Sequence, residues 1–191
     1  MPLTSDVLLY GYRNGFFPMA NPDEAGAIYW YAPDPRAILP LDAFHVPGTL
    51  ARTMRRDLFE VRHDTAFEAV MRACAARDET WISAEIVDAY TALHHDGFAH
   101  SVECWQGGLL AGGLYGVAVG GAFFGESMFH HVRDASKVAL VHLVAHLRRQ
   151  GFVLHDTQFL TPHLERFGAV EIPRNEYEHR LAEAVALPVH W

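Results

Sequence analysis

Several features of secreted and membrane proteins are scarce in this sequence of 191 residues. It has no apolar run near the length of a membrane span, and its N-terminus lacks the basic and then apolar pattern of a secretory signal. The only cysteines, Cys74 and Cys104, fall in apolar segments, which favours buried thiols in a reducing compartment. We therefore expect a cytoplasmic protein without a membrane segment, built as one domain with a small appendage.

Basic residues are also few. Lys and Arg number 15 against 23 Asp and Glu, which gives a net charge of −8 with His neutral. This balance excludes a surface coated broadly for nucleic-acid phosphates, because such a surface needs an excess of cations. A local basic cluster remains at Arg52, Arg55 and Arg56, with helical spacing between the first and the others. The cluster is consistent either with a solvated face or with a contact to a few phosphates.

Glycine-rich nucleotide motifs and metal-ligand motifs are absent as well. The glycines between Gly107 and Gly121 fall in predicted strands and turns, without a Walker or Rossmann pattern. His142 and His146 have a metal-like spacing, but Leu143 stands where a zincin needs Glu. A helical wheel places both histidines opposite the apolar stripe, which predicts a solvated face. We expect no metal and no cofactor.

Apolar periodicity predicts a mixed α/β fold. A short helix and an irregular aromatic segment precede two helices, three antiparallel strands and an alternation of helices and strands, which indicates a mixed sheet with helices on both faces. Thr65 and Glu68 form a predicted capping box. After the N-terminal segment, the predicted helices are 65–77, 83–97, 134–150, 161–168 and from 175 onward, and the predicted strands are 100–105, 109–119, 122–129, 152–158 and 169–172.

Three polar residues stand inside two of these apolar strands: Glu126, Asp156 and Gln158. A carboxylate in such surroundings is costly unless it is paired, hydrogen-bonded or functional. Asp156 and Gln158 are two residues apart, so a regular strand points both to one face. One interpretation is a buried network that sets strand register, and the other is a site that orients an amine and accepts its proton. No Ser-His-Asp or Cys-His arrangement is evident, so a covalent acyl-enzyme is not favoured.

At these residues the sequence resembles the bacterial leucyl/phenylalanyl-tRNA–protein transferases. The shared motifs cover nearly the whole chain in family order. They are Gly15-Phe-Phe-Pro18, Trp30-x-x-Pro33-Asp-Pro-Arg36, Thr80-Trp-Ile82, His100-Ser-Val-Glu103, Gly112-Gly-Leu-Tyr-Gly116, Phe124-Gly-Glu-Ser-Met-Phe129, Asp134-Ala-Ser-Lys137, Asp156-x-Gln158 and Phe167-Gly-Ala-x-Glu171-x-Pro-Arg174. The resemblance implies an α/β domain like the acyl-CoA N-acyltransferases over residues 36–191, with a small N-terminal lobe over residues 1–35.

The resemblance also implies an activity. The family transfers Leu or Phe, and less often Met, from the acceptor end of aminoacyl-tRNA to the N-terminal Arg or Lys of a protein, which marks that protein for N-degron degradation. Asp156 and Gln158 would handle the acceptor amine, and Glu126 would line the site near the ester. The other implied roles are Leu114, Phe123 and Ser127 in the donor side-chain pocket, Trp81 stacked on the terminal adenosine, and Arg52, Arg55 and Arg56 at the tRNA acceptor arm.

Two positions depart from the family pattern. Met19 stands where many members have Trp, and Leu114 stands where some have Met, so we expect altered stacking on the adenosine and an altered pocket shape. Family members usually act as monomers, and we expect a monomer here.

The sequence also suggests two alternative functions, and each has evidence against it. An acyl-CoA-dependent N-acyltransferase needs a glycine-containing pyrophosphate turn, and the stretch from His130 to Ser136 has no glycine. A non-catalytic protein that binds the tRNA acceptor end is disfavoured by the retained Glu126, Asp156 and Gln158.

The implied reaction is aminolysis of an ester. An α-amine has a pKa near 8, so roughly a tenth of it is neutral at pH 7 and deprotonation costs little. Most of the gain should therefore come from holding amine and ester in near-attack geometry. We expect Asp156 to polarise Gln158, which accepts a hydrogen bond from the amine, while Asp156 or water takes the proton.

Overall fold

The computed structural model of the protein describes residues 2–77 and 80–191. The α-helices are α1 Ser5–Arg13, α2 Gly48–Met54, α3 Phe67–Ala75, α4 Ala84–His95, α5 Ala135–Gln150, α6 Pro162–Glu165 and α7 Arg174–Val185. The strands are β1 Phe17–Asn21, β2 Ala27–Tyr31, β3 Arg36–Ile38, β4 Glu60–His63, β5 Ala99–Gln106, β6 Leu109–Val119, β7 Ala122–His130, β8 Leu154–Gln158 and β9 Val170–Ile172. None of the helices in these ranges is long and apolar enough to cross a bilayer.

A seven-stranded sheet with the order β4-β5-β6-β7-β8-β3-β9 organises the molecule. Strands β4 to β7 are antiparallel neighbours, β7 and β8 are parallel, and β3 is antiparallel to both β8 and β9. Gly107, Gly108 and Gly120 have positive φ angles and form the tight turns of the two central hairpins. The mixed sheet expected from the sequence is confirmed.

Helices cover both faces of this sheet and bury two separate hydrophobic clusters. On one face α1, α3, α4 and α7 pack residues such as Leu8, Met71 and Tyr90 against the sheet. On the other face α5 buries the stripe that the sequence predicts, including Leu143 and Leu147. Because the central strands contact a cluster on each face, they are apolar nearly throughout.

The first 35 residues contain more regular structure than the sequence indicated. Thr4 caps α1 by accepting a hydrogen bond from the backbone of Val7. The aromatic segment that we expected to be irregular forms the hairpin β1–β2, in which Phe17 pairs with Tyr31. Its strands were missed because Pro18 and the mixed polarity obscure a two-residue period. The division of the chain at residue 35 stays a prediction.

Two local predictions were wrong. The first turn of α3 is not closed by a capping box, because Thr65 donates to Glu103 of β5 (2.5 Å) and Glu68 pairs with Arg72 instead. His142 and His146 are half-buried rather than solvated. The ring of His146 packs against Trp191, with 4.3 Å between ring centroids. A helical wheel could not show that the C-terminal residue returns to cover this face.

Candidate active site

The parallel strands β7 and β8 separate after a short stretch of pairing. They pair over three residue pairs, the last of which is Phe124 with Asp156. Beyond that point β7 contains a β-bulge, since Gly125 pairs with Gly116 and Ser127 with Tyr115, which leaves Glu126 as the extra residue. The gap between the two strands opens into a cavity of about 280 Å³.

The cavity passes from one face of the sheet to the other and is mostly apolar. Leu114, Leu140 and Leu143 line its end toward α5, and Glu126 and Gln158 lie at the opposite side. Its other lining residues are Phe17, Met19, Arg77, Trp81, Tyr115, Gly125, Ser127, Met128, His155, Thr157, Phe159, Thr161, His163 and Leu164. An apolar pocket with a few convergent polar groups is the usual form of a small-ligand site.

Glu126 is the carboxylate that faces the cavity among the residues that the structure describes. The Tyr12 hydroxyl donates to Glu126 Oε1 over 2.7 Å, and the Tyr90 hydroxyl bonds to that of Tyr12. Gln158 Nε2 lies 3.5 Å from the same oxygen, at the limit of a hydrogen bond. Burial raises the pKa of Glu126 to about 8, although the hydrogen bond from Tyr12 opposes this shift. Near neutral pH this group can therefore either hold or release a proton.

Asp156 does not line the cavity. It is fully buried and forms a double hydrogen bond with Arg36, in which Nε lies 3.0 Å from Oδ1 and Nη2 lies 2.7 Å from Oδ2. The Tyr177 hydroxyl donates to Oδ2 over 2.6 Å. Arg36 in turn donates to the Gly15 carbonyl and lies between the rings of Phe17 and Tyr177. The carboxylate oxygens of Asp156 are thus occupied by hydrogen bonds from these donors.

Gln158 does not have the regular strand conformation from which the shared face of Asp156 and Gln158 was predicted. Gln158 has a φ of +59°, the left-handed conformation, at the end of β8. Its backbone N–H donates to Asp156 Oδ1 over 2.8 Å, so the aspartate stabilises the turn that points the glutamine side chain into the cavity. The two interpretations of the polar residues thus apply to different residues: Asp156 belongs to a buried network, and Gln158 lies at the cavity with Glu126.

His155 was not identified from the sequence. It is buried next to the cavity, and burial lowers its pKa to about 4, so the ring is neutral at pH 7. Its Nδ1 atom has no hydrogen-bond partner among the described residues. A side chain at Gly125 would place its Cβ 3.0 Å from His155 Nε2, so glycine keeps this part of the cavity wall open.

Tyr12, Arg36 and Tyr177 were also missed as members of the site. They come from distant parts of the chain, and Arg36 is 120 residues from Asp156. Of the three, only Arg36 could have been predicted from the sequence. A charged residue directly before the apolar run Ala37–Leu41 is expected to need a buried partner of opposite charge.

The structure brings together most of the residues assigned to the donor. Met19, Trp81, Leu114 and Ser127 all line the cavity. Phe123 is placed differently from the prediction. Its ring is fully buried, stacked on Trp191 at 5.5 Å and edge-on to His155, so it supports the cavity wall from behind.

The arginine cluster lies apart from the cavity. Arg52 is on α2, and Arg55 and Arg56 follow the end of that helix. All three are exposed, and none forms an ion pair within the described ranges. Thr53 Oγ1 lies 3.5 Å from Asp134, which places α2 beside the start of α5. No group of three His, Cys, Asp or Glu with metal-binding geometry occurs in residues 2–77 and 80–191.

Sequence comparison decides the family. Residues 38–182 match the leucyl/phenylalanyl-tRNA protein transferase family, and residues 1–34 match its N-terminal domain. The chain belongs to this family. The resemblance described from the sequence motifs is thereby confirmed.

Two relatives and one solved structure illustrate the relationship. The leucyl/phenylalanyl-tRNA–protein transferase of Salinibacter ruber is 57% identical over 99% of this chain and 83% of its own length. That of Herpetosiphon aurantiacus is 60% identical over 96% of this chain and 95% of its own length. An aminoglycoside N-acetyltransferase solved with CoA is similar over 68% of this chain and 87% of its own, with 15% identity and a TM-score of 0.37. A likeness this weak carries no inference about activity.

Proposed function

We propose that this protein transfers Leu or Phe, and less often Met, from aminoacyl-tRNA to the N-terminal Arg or Lys of a protein, and that the cavity between β7 and β8 is the donor site. The observation that carries this proposal is the arrangement of the cavity. Its apolar end near Leu114, Leu140 and Leu143 suits a Leu or Phe side chain, and Glu126 and Gln158 stand where the ester and the amine would meet.

Glu126 is proposed to accept the proton of the acceptor amine. Its pKa of about 8 is close to that of a peptide α-amine, so proton transfer between the two costs almost no free energy. The neutral amine attacks the ester carbonyl carbon and gives one proton to the Glu126 carboxylate. As the bond from the carbonyl carbon to the tRNA oxygen breaks, Glu126 returns this proton to the leaving oxygen, which releases the tRNA hydroxyl and restores the carboxylate. Tyr12 keeps the carboxylate in place throughout, because its own burial holds its proton firmly on the hydroxyl.

Asp156 is proposed to act as a positioning residue. Its carboxylate is occupied by Arg36, Tyr177 and the backbone of Gln158, so it is not free to take the proton that the sequence interpretation gave it. Its contribution is to hold Gln158 in the left-handed turn, with the amide directed to Glu126. Gln158 then orients the amine.

The tRNA is proposed to contact the protein at two places, the cavity and the arginine cluster. Trp81 and Met19 line the cavity and would contact the terminal adenosine, with the thioether in place of an indole. Arg52, Arg55 and Arg56 would contact the acceptor arm further away. We further propose that the protein works as a monomer in the cytoplasm, where charged tRNA is made, and that its products enter N-degron degradation.

The test is a transfer reaction followed by mass measurement of the peptide. Phe-tRNA is incubated with a peptide that begins with Arg, and we expect addition of one Phe residue at the α-amine. A peptide that begins with Gly serves as the control and should stay unmodified. Repeating the reaction with Leu- and Met-charged tRNA gives the order of donors. No addition to the Arg peptide from any of the three donors would contradict the proposal, and acetylation from acetyl-CoA would favour the acyl-CoA alternative.

A further inference from the structure

A second groove adjoins the donor cavity and shares Arg77, Met128 and His163 with it as a common wall. We call it the cationic groove. Its volume is about 510 Å³, and it lies between the end of α3, the end of β7 and the first turn of α5. Its remaining lining residues are Ala73, Ala76, Phe129, His130, His131, Arg133, Asp134, Ser136 and Lys137.

The described lining residues of this groove include more cations than carboxylates. Arg77, Arg133 and Lys137 line it together with one carboxylate, Asp134, in a chain of net charge −8. Lys137 is the only lysine in the sequence. The nearby charges of Lys137, Arg166 and His130 add to burial in lowering the pKa of His163, as expected where the local potential is positive.

The cations of the groove are available to a ligand to different degrees. Arg133 is 95% exposed, and its Nε lies 3.8 Å from Asp134, so its guanidinium is open to solvent. Lys137 Nζ donates to Asp134 Oδ1 over 2.6 Å and remains about one-third exposed. Arg77 donates to Ser127 Oγ over 3.3 Å and to the Met128 carbonyl, which makes it part of the wall between groove and cavity.

The groove connects two regions already described. At one end it shares a wall with the donor cavity, and at the other Asp134 contacts Thr53 on α2, the helix that carries Arg52. The groove therefore lies between the cavity and the arginine cluster. When the amino acid of the donor occupies the cavity, the nucleotide backbone attached to it must leave through the cavity opening. The acceptor has a cationic ammonium and a cationic side chain, so cations near that opening repel it.

We propose that the cationic groove binds the phosphates of the last nucleotides of the tRNA 3′ end, with Arg133 and Lys137 as the contacts. This inference rests on the proposed function, because it assumes that an aminoacyl nucleotide occupies the cavity. Each contact is a charge-assisted hydrogen bond to a phosphate oxygen. The groove thus supplies local affinity for a single strand that the acidic surface elsewhere cannot provide.

Binding of a defined RNA tests the proposal. The probe is an acceptor-stem hairpin with a single-stranded 3′ tail and a non-hydrolysable Phe amide at its terminal adenosine. We expect Arg133→Gln and Lys137→Gln each to weaken binding roughly 10-fold at about 0.1 M salt, and to reduce the salt-dependence exponent by about one. Arg180→Gln is the matched control, since this exposed arginine on α7 pairs with Glu176 far from the groove, and its affinity should stay within about 2-fold of the wild type.

A second probe identifies the phosphate itself. The second probe is a hairpin in which the last two internucleotide linkages are neutral methylphosphonates. If the side chains contact those linkages, Arg133→Gln and Lys137→Gln lose little or no further affinity for the neutral probe, and Arg133→Lys retains most of the wild-type affinity. An equal loss for both probes, or no loss for either, would overturn the proposal. Because binding is measured without turnover, a wild-type protein that binds the hairpin but transfers no amino acid would refute the proposed function alone.

Discussion

Asp156 and Glu126 lie on neighbouring strands where β7 and β8 separate, yet their surroundings are opposite. Asp156 is fully buried and accepts hydrogen bonds from Arg36, Tyr177 and the backbone of Gln158. Glu126 is half-buried at the cavity and is anchored by the Tyr12 hydroxyl, with no cation in contact among the described residues. Asp156 therefore accepts hydrogen bonds at both of its oxygens, whereas Glu126 has few hydrogen-bond donors.

This difference distinguishes a carboxylate that stabilises the structure from one that can take part in a reaction, within one cluster. Asp156 is saturated with donors and holds other groups in place, whereas burial raises the pKa of Glu126 to about 8, so that this carboxyl group can exchange a proton near neutral pH. Ionisable residues at a site are therefore better assigned by counting their donors than by their order in a motif. Four predictions test this distinction.

The largest effect is expected when the anchor of Asp156 is removed. Arg36→Met leaves a buried carboxylate without its cation, and we expect the free energy of unfolding to fall by about 3–5 kcal/mol. Urea denaturation measures this loss. Arg62→Met is the matched control, because the Arg62–Glu60 pair is exposed and screened by solvent, so its loss should change the free energy of unfolding far less. Equal losses in the two variants would show that Asp156 is not held by this pair.

Replacement of Glu126 should impair the reaction more than the fold. Glu126→Gln resembles the protonated carboxyl group but cannot take a proton, so we expect the transfer rate to fall about 100-fold or more. The melting temperature at pH 7 should not fall and should rise, because the amide avoids the cost of a carboxyl group whose pKa is raised on folding. Single-turnover transfer from Phe-tRNA gives the rate. Glu165→Gln, at an exposed site on α6, serves as the control. A Glu126→Gln enzyme with more than a third of the wild-type rate would exclude a role in proton transfer.

The pH dependence of stability offers a sharper view of Glu126. Its pKa is raised to about 8 on folding, so between pH 5 and 8 the folded protein holds a proton that the unfolded chain releases. The wild type should therefore lose stability relative to Glu126→Gln as pH rises through this range, by at most about 1.4 kcal/mol per pH unit. Urea titrations of both proteins at several pH values measure the difference. A constant difference from pH 5 to 8 would mean that the carboxyl group is not desolvated.

The smallest effect is expected at the turn of Gln158. Glycine adopts a φ of +59° without strain, so Gln158→Gly should leave stability unchanged or raise it by up to about 1 kcal/mol. The same change removes the amide that faces Glu126 and should slow transfer. Asp57→Gly is a matched control, since Asp57 is exposed and also has a positive φ, and its transfer rate should not change. Transfer by Gln158→Gly at the wild-type rate would contradict the orienting role.

Sequence patterns predicted the elements that are long or have local signals. The bounds of β6 agree with the predicted strand, Ser83 caps α4 as expected, and α5 ends at Gly151 with a φ of +89°. The missed elements β1, β2, β3 and β4 are short, and their stability depends on pairing with distant strands. The alternation of apolar and polar residues that predicts a strand cannot be recognised in a segment of only three to five residues.

For the site, the sequence indicated which residues are unusual but not how they are oriented. Glu126, Asp156 and Gln158 were singled out because polar groups rarely interrupt buried strands. Their separate roles depend on a bulge at Glu126 and a left-handed turn at Gln158, and neither follows from residue spacing. Phe123 was assigned to the cavity wall, but the return of Trp191 from the C-terminus holds it behind that wall.

The sequence by itself determined the mixed fold, the family and the three polar residues that mark the site, because apolar periodicity and motif order are local properties of the chain. Only the tertiary structure decided which carboxylate is saturated with hydrogen-bond donors and which has a raised pKa. That depends on Arg36, Tyr12 and Tyr177 reaching the gap between β7 and β8 from remote positions. Packing in three dimensions sets both the burial of each carboxylate and its donors, and for Glu126 burial is the main cause of the raised pKa from which the proposed chemistry follows.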